Sequence, residues 1–480
     1  MKQRSLLQGF VWNGIDMLGR QGVDFITTLV LARLLSPESF GLIGMMTVFF
    51  ALAQSLVDSG FKQALIQTKQ PTKVQYDSVF WLNLVLGFVL YGVLFTGASY
   101  IASFYKQPEL TALMRWAGLV VPINAFQIVQ TARMSRDLNF KLQTQITIPA
   151  VILSGMVAVG MAYSNWGAWS LIAKMLVFAS SSSSIYWILG RYTPRLHFSW
   201  REIMPLFQFG YKLTLAGLLN TLFNNLYYVV IGKMFPAQTL GYYIQAKKLA
   251  DVPSQNAAAI LQKVTFPYLS RIRDDKVKLA RRFRIILQLA VLFAAPVMLF
   301  IATWSTELVV WLFGAKWSAA GPMLEILAFI GLLFPIHTIN LNMLKVFGRT
   351  DLYLKLEVYK KLLVAVAIAV SAGFGVQGLL IGQLCTSILA LYINAYYTRM
   401  FLTLGIFEQF NDLLIYLTLA ACCFWGLNKL NVAMSIGITW GYIAGFAFVL
   451  YVASNLLFNT QGAKLLMKSI KEKRIALNEQ

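Results

Sequence analysis

Apolar residues fill long stretches of this chain, and short polar segments separate the stretches. Spans of about twenty mainly apolar residues recur, which is the length that lets a helix cross a bilayer. The pattern predicts an all-α integral membrane protein of about fourteen transmembrane helices. The predicted spans are 10–32, 40–60, 79–103, 110–131, 145–164, 167–189, 208–231, 240–260, 284–302, 322–344, 355–373, 376–397, 411–427 and 433–455.

Composition agrees with a membrane protein. Of the 480 residues, 58% are hydrophobic and 12% are charged, and the mean hydropathy is +0.64. A soluble domain cannot bury so much apolar surface, whereas a bilayer solvates it. The three cysteines lie in apolar segments without metal-ligand or disulfide spacing, so we expect no metal site and no cofactor. Charges in the first apolar stretch argue against a cleavable signal peptide.

The basic residues follow the predicted membrane topology. The net charge is +22, and most of the 41 lysines and arginines fall in loops on one side of the membrane, where both termini also lie. The opposite loops carry Arg33, Lys106, Lys233, Lys247, Lys248, Lys316 and Lys429. The positive-inside rule therefore places both termini in the cytoplasm and excludes nucleic acid as the reason for the charge. The basic run 271–284 either marks topology or binds anionic membrane lipids.

The two halves of the chain resemble each other at an offset near 200 residues. RLLSPESFGLI from Arg33 resembles KMFPAQTLGYY from Lys233, so that Gly41 matches Gly241, and further matches follow in the same order. The repeat predicts two parallel six-helix lobes, with substrate bound between them. The predicted domains are an N-lobe at 1–200, a C-lobe at 201–400, two further helices at 401–460 and a basic cytoplasmic tail at 461–480.

Two loop motifs carry a family resemblance. RLLSPESFG from Arg33 and DSGFKQALIQ from Asp58 resemble the polysaccharide-transporter flippases of the Wzx and colanic-acid-exporter type. These belong to the multidrug/oligosaccharidyl-lipid/polysaccharide exporter (MOP) superfamily, and the resemblance extends to about residue 455. It implies a MATE-like two-lobed fold in the bacterial inner membrane. It also implies an oligosaccharide substrate on an undecaprenyl pyrophosphate carrier, for exopolysaccharide, O-antigen or colanic-acid-type repeat units.

Helix 1 carries three charges within its predicted span. Asp16, Arg20 and Asp24 are spaced by four residues and form one stripe, which drifts about 40° per step. Left unpaired in hydrocarbon they would cost roughly 8 to 10 kcal/mol, so they must face the bundle or a wet cavity. Either Arg20 binds pyrophosphate with the carboxylates orienting it, or the three form a self-neutralising structural triad.

Further polar residues within spans are candidates for substrate binding. Lys212 begins helix 7, the repeat counterpart of helix 1, and Asn224 follows it among several amides that either bind sugar hydroxyls or join helices. Lys174 and Arg115 also lie in predicted spans, and Lys174 is a candidate for the cavity. No catalytic residue is predicted.

Four residues are candidates for a supporting or coupling role. Asp58 and Lys62 flank the turn after helix 2, where a headgroup would enter or where they simply anchor the helix at the interface. His337 follows Pro335 in helix 10, with Glu325 before it. The histidine is either a protonation switch or a buried, hydrogen-bonded structural residue.

The energy source and the competing functions remain open at the sequence level. No GxxxxGK[ST] loop occurs, so a gradient or downstream consumption must drive transport. A pyrophosphate-linked substrate moving outward gains roughly 2.3 kcal/mol per charge per 100 mV of inside-negative potential. The alternatives are a cation-coupled multidrug exporter, a lipid II flippase of the same fold and a membrane enzyme. Expected partners are the lipid-linked oligosaccharide, membrane lipids, and a polysaccharide polymerase with its chain-length machinery.

Overall fold

The computed structural model describes residues 3–464 except 59, 191, 434–438, 459 and 463. The described residues form helices and connecting turns, without a β-strand. The first eleven helices, which end at Arg271, are α1 Gln3–Leu34, α2 Pro37–Asp58, α3 Phe61–Gln67, α4 Lys73–Tyr105, α5 Leu110–Ala117, α6 Val120–Arg136, α7 Phe140–Tyr163, α8 Ala168–Leu189, α9 Trp200–Asn224, α10 Leu226–Met234 and α11 Ala237–Arg271.

The remaining helices follow a short turn at 272–275. They are α12 Lys276–Thr303, α13 Ser305–Phe313, α14 Gly321–Val346, α15 Thr350–Ser371, α16 Gly375–Leu402, α17 Ile406–Ala421, α18 Leu427–Ala433 and α19 Trp440–Leu457. Short 3₁₀ segments at Ala315–Ala320 and Ala372–Phe374 and a π-helical segment at Cys422–Gly426 join some of these helices.

These helices confirm the multi-pass membrane fold. Within the described residues, 11 segments are long and apolar enough to cross a membrane. One of them, Thr350–Leu402, contains both α15 and α16. Helices α1 and α11 have 32 and 35 residues and are long enough to cross as well, but their many charged and polar residues keep them out of that set. Where the structure describes them, the fourteen predicted spans therefore coincide with helices.

Several boundaries differ from the predicted ones. The predicted outer loop at 303–321 contains α13 and a 3₁₀ turn, and two predicted spans are each made of two helices that meet at a break, at 118–119 and at Asn225. The last predicted span is seen from Trp440 onward, because 434–438 lie outside the described residues. The predicted basic tail likewise lies outside them, apart from residues 461, 462 and 464.

The chain divides into two compact units, Met1–Ile244 and Gln245–Gln480. In the first unit α1 packs on α7, α7 packs on α8, and α9 packs on α2, α3 and α4. In the second unit α14 packs between α12 and α16, and α17 packs on α12. The lobe boundary at residue 200 was predicted from the sequence repeat, whereas α9, which begins there, packs on helices of the first unit. The predicted lobes stay a prediction.

Local chemistry fixes where α4 begins. The Thr72 hydroxyl accepts a hydrogen bond from the Gln75 backbone N–H, and the Gln75 side chain accepts one from the Thr72 N–H, both at 3.1 Å. This reciprocal cap satisfies two backbone donors that the first turn of a helix leaves without partners. Helix α4 therefore starts at Lys73, six residues before the predicted span.

Candidate functional site

Both acidic residues of α1 are engaged by neighbouring helices. The Thr147 hydroxyl of α7 donates a hydrogen bond to the Asp16 carboxylate. The Lys174 ammonium of α8 lies 2.7 Å from Asp24 Oδ1 and forms an ion pair with it. The Lys174 side chain is 16% exposed and that of Asp24 is 38% exposed, so the pair is substantially withdrawn from solvent. These contacts fasten α1 to α7 and α8 and neutralise one acid–base pair within the membrane.

Arg20 lies between the two acids in the sequence and is exposed. Among the described residues it takes part in no ion pair or hydrogen bond, although Asp16 and Arg20 both lie close enough to the buried Tyr186 hydroxyl to act on it electrostatically. In the contacts given above each carboxylate is bound by a residue of another helix, and both alternatives for the stripe, a pyrophosphate-binding Arg20 and a self-neutralising triad, stay hypotheses. Arg20 is thus an exposed cation beside Tyr186 of α8.

Helix α9 carries the other exposed cation of the predicted set. Lys212 is exposed, with its ammonium 5.9 Å from the centre of the Tyr211 ring, and Asn224 is exposed at the end of the helix. The neighbouring Asn225 amide is used locally, since it donates to the Thr221 carbonyl at 2.8 Å. Lys212 and Asn224 thus keep their polar groups available, while Asn225 serves the helix end.

Arg115 is bound to a neighbouring helix. Its Nε donates to the Phe95 carbonyl of α4 at 3.4 Å, and its guanidinium lies 4.7 Å from the centre of the Phe95 ring. A cation over an aromatic face is stabilised by the ring quadrupole. The described contacts place Arg115 at the α4–α5 contact and not beside Asp16, Arg20 or Lys174.

A chain of polar side chains connects α2, α6 and α8. Gln54 donates to Asp58 at 3.2 Å and accepts from Asn124 at 3.0 Å. Gln127 donates to Asn124 at 2.9 Å and accepts from the Ser182 hydroxyl at 3.2 Å. Apart from Ser182 these residues are half-buried, so their chain forms a polar surface inside the first unit.

Sequence reasoning identified only one end of this chain, Asp58. Lys62 acts on the Asp58 carboxylate electrostatically, so the two residues flanking the turn after α2 do lie near each other. The members of this chain are separated by up to 128 positions along the sequence, from Gln54 to Ser182, and nothing in the periodicity of α2, α6 or α8 marks them as neighbours. Four uncharged polar residues inside apolar spans were the only available signal.

His337 belongs to a hydrogen-bonded cluster in the second unit. Its Nε2 lies 3.1 Å from the Ser387 hydroxyl, and its Nδ1 lies 3.0 Å from the Asn394 amide nitrogen. A neutral imidazole with its proton on Nε2 satisfies both contacts, donating to Ser387 and accepting from Asn394. Glu325 is exposed and lies twelve residues earlier on α14, about 18 Å along the axis. The structure therefore holds His337 between Ser387 and Asn394 and does not bring Glu325 to it, and the protonation-switch alternative stays a hypothesis.

The loop between α8 and α9 is fixed to the first unit by contacts that the sequence did not reveal. The Tyr192 hydroxyl donates to the buried Asp77 carboxylate, and Gln130 donates to the Tyr192 carbonyl at 2.9 Å. The Arg133 guanidinium lies 5.1 Å from the centre of the Tyr192 ring. Burial, together with the Asp77 carboxylate, raises the pKa of the Tyr192 hydroxyl far above its usual range, so it remains a donor.

Two more bonds complete this loop anchor. The Trp81 indole donates to the Arg195 carbonyl at 2.8 Å, and the Ser199 backbone N–H donates to the Ser78 hydroxyl at 2.9 Å. Trp81 and Ser78, the α4 partners in these two bonds, both lie in the first turns of that helix. The beginning of α9 is therefore tied to the beginning of α4.

Comparisons with known proteins agree with this architecture. Residues 30–322 match the family described as "Polysaccharide biosynthesis protein". The Escherichia coli K12 lipopolysaccharide biosynthesis protein WzxC is 29% identical over 395 residues, which cover 81% of this chain and 80% of WzxC. The Rhizobium meliloti succinoglycan biosynthesis transport protein ExoT is 27% identical, over 68% of this chain and 66% of ExoT.

A solved structure shares the fold at much lower sequence similarity. The lipid II flippase MurJ in an inward closed conformation superposes with a TM-score of 0.73 at 12% identity, over 94% of this chain and 99% of MurJ. Similarity at that level establishes the fold and leaves the substrate open. The match to the family model, by contrast, covers more than half of the chain. The chain belongs to the polysaccharide biosynthesis protein family of membrane proteins.

Proposed function

We propose that the chain is a flippase that moves an undecaprenyl-pyrophosphate-linked oligosaccharide from the cytoplasmic to the periplasmic leaflet by alternating access. The oligosaccharide is an exopolysaccharide, O-antigen or colanic-acid-type repeat unit. The proposal places the chain in a bacterial inner membrane with both termini in the cytoplasm. It makes and breaks no covalent bond, and a polysaccharide polymerase with its chain-length machinery acts on the product.

The observation that carries the proposal is the state of Arg20. The family and the relatives WzxC and ExoT indicate a polysaccharide pathway. In that context an exposed guanidinium on a membrane helix, with the neighbouring acids engaged by Thr147 and Lys174, is suited to a pyrophosphate. Its planar fork binds phosphate oxygens in pairs, and its charge does not titrate in the physiological range.

Other polar groups of the first unit suit the rest of such a substrate. Lys212 supplies a second cation for phosphate, while Asn224 and the polar chain on α2, α6 and α8 offer amides for sugar hydroxyls. Amide groups both donate and accept hydrogen bonds, as hydroxyl recognition requires. Lys174 has the different task of holding Asp24, and Asp16 holds α1 on α7.

Flipping of a fluorescent lipid-linked oligosaccharide in proteoliposomes tests the proposal. Replacing Arg20 by Gln should lower the initial rate at least tenfold, and Arg20→Lys should restore part of it because the charge returns without the fork. Arg201→Gln provides the matched control, since Arg201 is an exposed cation at the start of α9. Unchanged flipping by Arg20→Gln would contradict the assignment of Arg20.

The same vesicles separate the alternative functions. Preferential flipping of a lipid II analogue would identify a lipid II flippase, and uptake of a cationic dye against a proton or sodium gradient would identify a drug exporter. An imposed potential, negative on the cytoplasmic side, should accelerate export of the doubly charged substrate. Indifference to the sign of the potential would exclude potential-assisted export while leaving the substrate assignment intact.

A further inference from the structure

A cavity of about 740 Å³ lies in the second unit, where α12 begins, where α16 leads into α17, and beside Gln461 and Lys464. Its charged and polar lining includes Lys276, Arg281, Arg284, Gln288, Asp412 and Lys464. The polar groups of α12 lie along its first turns, just before the strongly apolar part of that helix. The cavity is therefore open at the level where a membrane helix leaves the hydrocarbon.

The charge of this cavity is strongly positive. Arg284 Nε lies 3.2 Å from Asp412 Oδ2 and balances the single carboxylate. Lys276, Arg281 and Lys464 also line the cavity, and within the described part of the chain none of them forms an ion pair. Three positive charges thus face a recess without a protein counterion, an arrangement that favours an anionic occupant.

Gln288 provides a separate sign of a missing partner. It is 7% exposed, it lines the cavity, and its Oε1 has no hydrogen-bond partner among the described residues. A buried amide atom without a partner costs about 1–3 kcal/mol, so an occupant that supplies one would be stabilising. A glutamine amide can turn by 180°, so it can offer the recess either an acceptor or a donor.

The order of the groups along α12 matches the layers of a phospholipid. Arg281 and Arg284 lie near the helix start, and Gln288 lies one turn beyond Arg284, about 6 Å deeper along the axis. The lining also includes Ile285 and Phe401. The outermost cations would meet the phosphate of a lipid, and the amide beneath them would meet a glycerol ester carbonyl. The apolar side chains alongside would meet the first carbons of an acyl chain.

The wall that carries Lys464 is held in place by buried contacts. The Gly462 backbone N–H donates to the Tyr416 hydroxyl at 3.0 Å, and the Lys464 N–H donates to the Thr460 carbonyl at 3.0 Å. The Lys464 backbone is therefore ordered beside α12 and α17. A cation at this position is therefore preorganised.

We propose that this cavity binds the headgroup of an anionic glycerophospholipid of the surrounding membrane. The site is distinct from Arg20 and the first unit, and the inference does not depend on the proposed transport substrate. Free inorganic phosphate shares the anion chemistry, but it would use neither the Gln288 amide nor the apolar lining.

Lipid binding to the purified full-length chain tests this proposal directly. Native mass spectrometry with added phosphatidylglycerol, compared with phosphatidylcholine, reports binding without any transport assay. We expect preferential binding of phosphatidylglycerol. Combined replacement of Arg281 and Lys464 by Gln should weaken that binding at least tenfold, and Gln288→Leu should weaken it by a smaller factor.

Arg282→Gln is the matched control, because Arg282 is the exposed neighbour of Arg281 and does not line the cavity. It should bind phosphatidylglycerol like the unaltered protein. Equal losses for Arg281→Gln and Arg282→Gln would overturn the site in favour of nonspecific attraction to the basic segment. Displacement of the lipid by millimolar inorganic phosphate would overturn the lipid assignment, as would a stronger preference for a short-chain polyprenyl pyrophosphate.

Discussion

Gly41 of α2 and Gly241 of α11 make reciprocal backbone contacts within the first unit. A β-carbon added at Gly41 would fall 1.7 Å from the Ala237 carbonyl oxygen, and one added at Gly241 would fall 1.9 Å from the Pro37 carbonyl oxygen. Each glycine thus meets the residue that lies four positions before the other glycine: Gly41 meets Ala237, and Gly241 meets Pro37. The two contacts are related by the offset of 200 residues. The symmetry of these contacts supports the internal duplication, and it gives each glycine a physical reason.

Alanine at either glycine should destabilise the protein. The added carbon cannot be accommodated unless the two helix starts separate, and overpacking of this kind costs about 1–3 kcal/mol. We expect Gly41→Ala and Gly241→Ala to lower the thermal midpoint in detergent, measured by fluorescence-detected size exclusion. Gly92→Ala in α4 is the control, because nothing lies within 4 Å of its added carbon. A midpoint for Gly41→Ala equal to that of Gly92→Ala would contradict the packing.

Swapping the two residues of the Asp24–Lys174 ion pair should destabilise the protein less than replacing either residue alone. Replacing either partner alone leaves a charge without its counterion in a partly buried place, for which we expect about 1–3 kcal/mol of lost stability after allowance for exposure. The exchange Asp24→Lys with Lys174→Asp should recover most of this loss, measured by thermal melting.

Flipping by the exchanged protein separates two roles of Lys174. Near-normal flipping is expected if Lys174 only holds Asp24, whereas a stable but inactive exchanged protein would show that substrate needs a cation at that position. Asp351→Asn, which breaks the exposed Arg349–Asp351 pair, serves as the control and should leave the melting temperature unchanged.

Tyr192 should make stability depend on alkaline pH. Because its pKa is raised in the folded state, the folded protein keeps this proton while the unfolded chain releases it near pH 10. The stabilisation is therefore complete below about pH 10 and is lost progressively above it. Tyr192→Phe should cost about 1–3 kcal/mol at neutral pH, since Asp77 loses a donor. The difference between the two proteins should shrink above pH 10.

Thermal melting between pH 7 and pH 11 measures this difference. Tyr100→Phe is the matched control, because Tyr100 is 81% exposed and should show neither effect. A constant difference between the unaltered protein and Tyr192→Phe over that pH range would show that the hydroxyl does not hold its proton against Asp77.

His337 should not control the pH dependence of transport. The ring is held neutral between Ser387 and Asn394, so His337→Gln should lower stability while leaving the shape of the pH profile of flipping unchanged between pH 5.5 and 8. Ser387→Ala removes one of the same hydrogen bonds without removing a titratable group. If only His337→Gln flattens the profile, the protonation-switch hypothesis is restored.

The sequence was sufficient for the fold because bilayer thickness constrains helix length directly. Even α11, whose sequence is interrupted by Lys247, Lys248 and Asp251, was predicted as a span, and the helix continues unbroken from Ala237 to Arg271. The break at Asn225 and the short helix α13 were not predicted, because each depends on local packing and not on hydrophobic period.

The site was predicted less completely than the fold. The three charges of α1 were recognised as costly, but the partners of its two acids, Asp16 and Asp24, are Thr147 and Lys174, which stand 131 and 150 positions away. A single sequence carries no record of which helices pack together, so spacing along α1 suggested contacts within the stripe. The chain from Gln54 to Ser182 was missed for the same reason.

Helix α9 is tethered at one end and interrupted at the other. The Ser199 N–H holds its start to Ser78, while the backbone bends at Asn225 before α10 continues. Between these points the helix displays Lys212 and mostly exposed side chains. Because α9 continues unbroken from Trp200 to Asn224, the anchor at its start also fixes Lys212, which lies twelve residues, or about 18 Å, along the helix from Trp200.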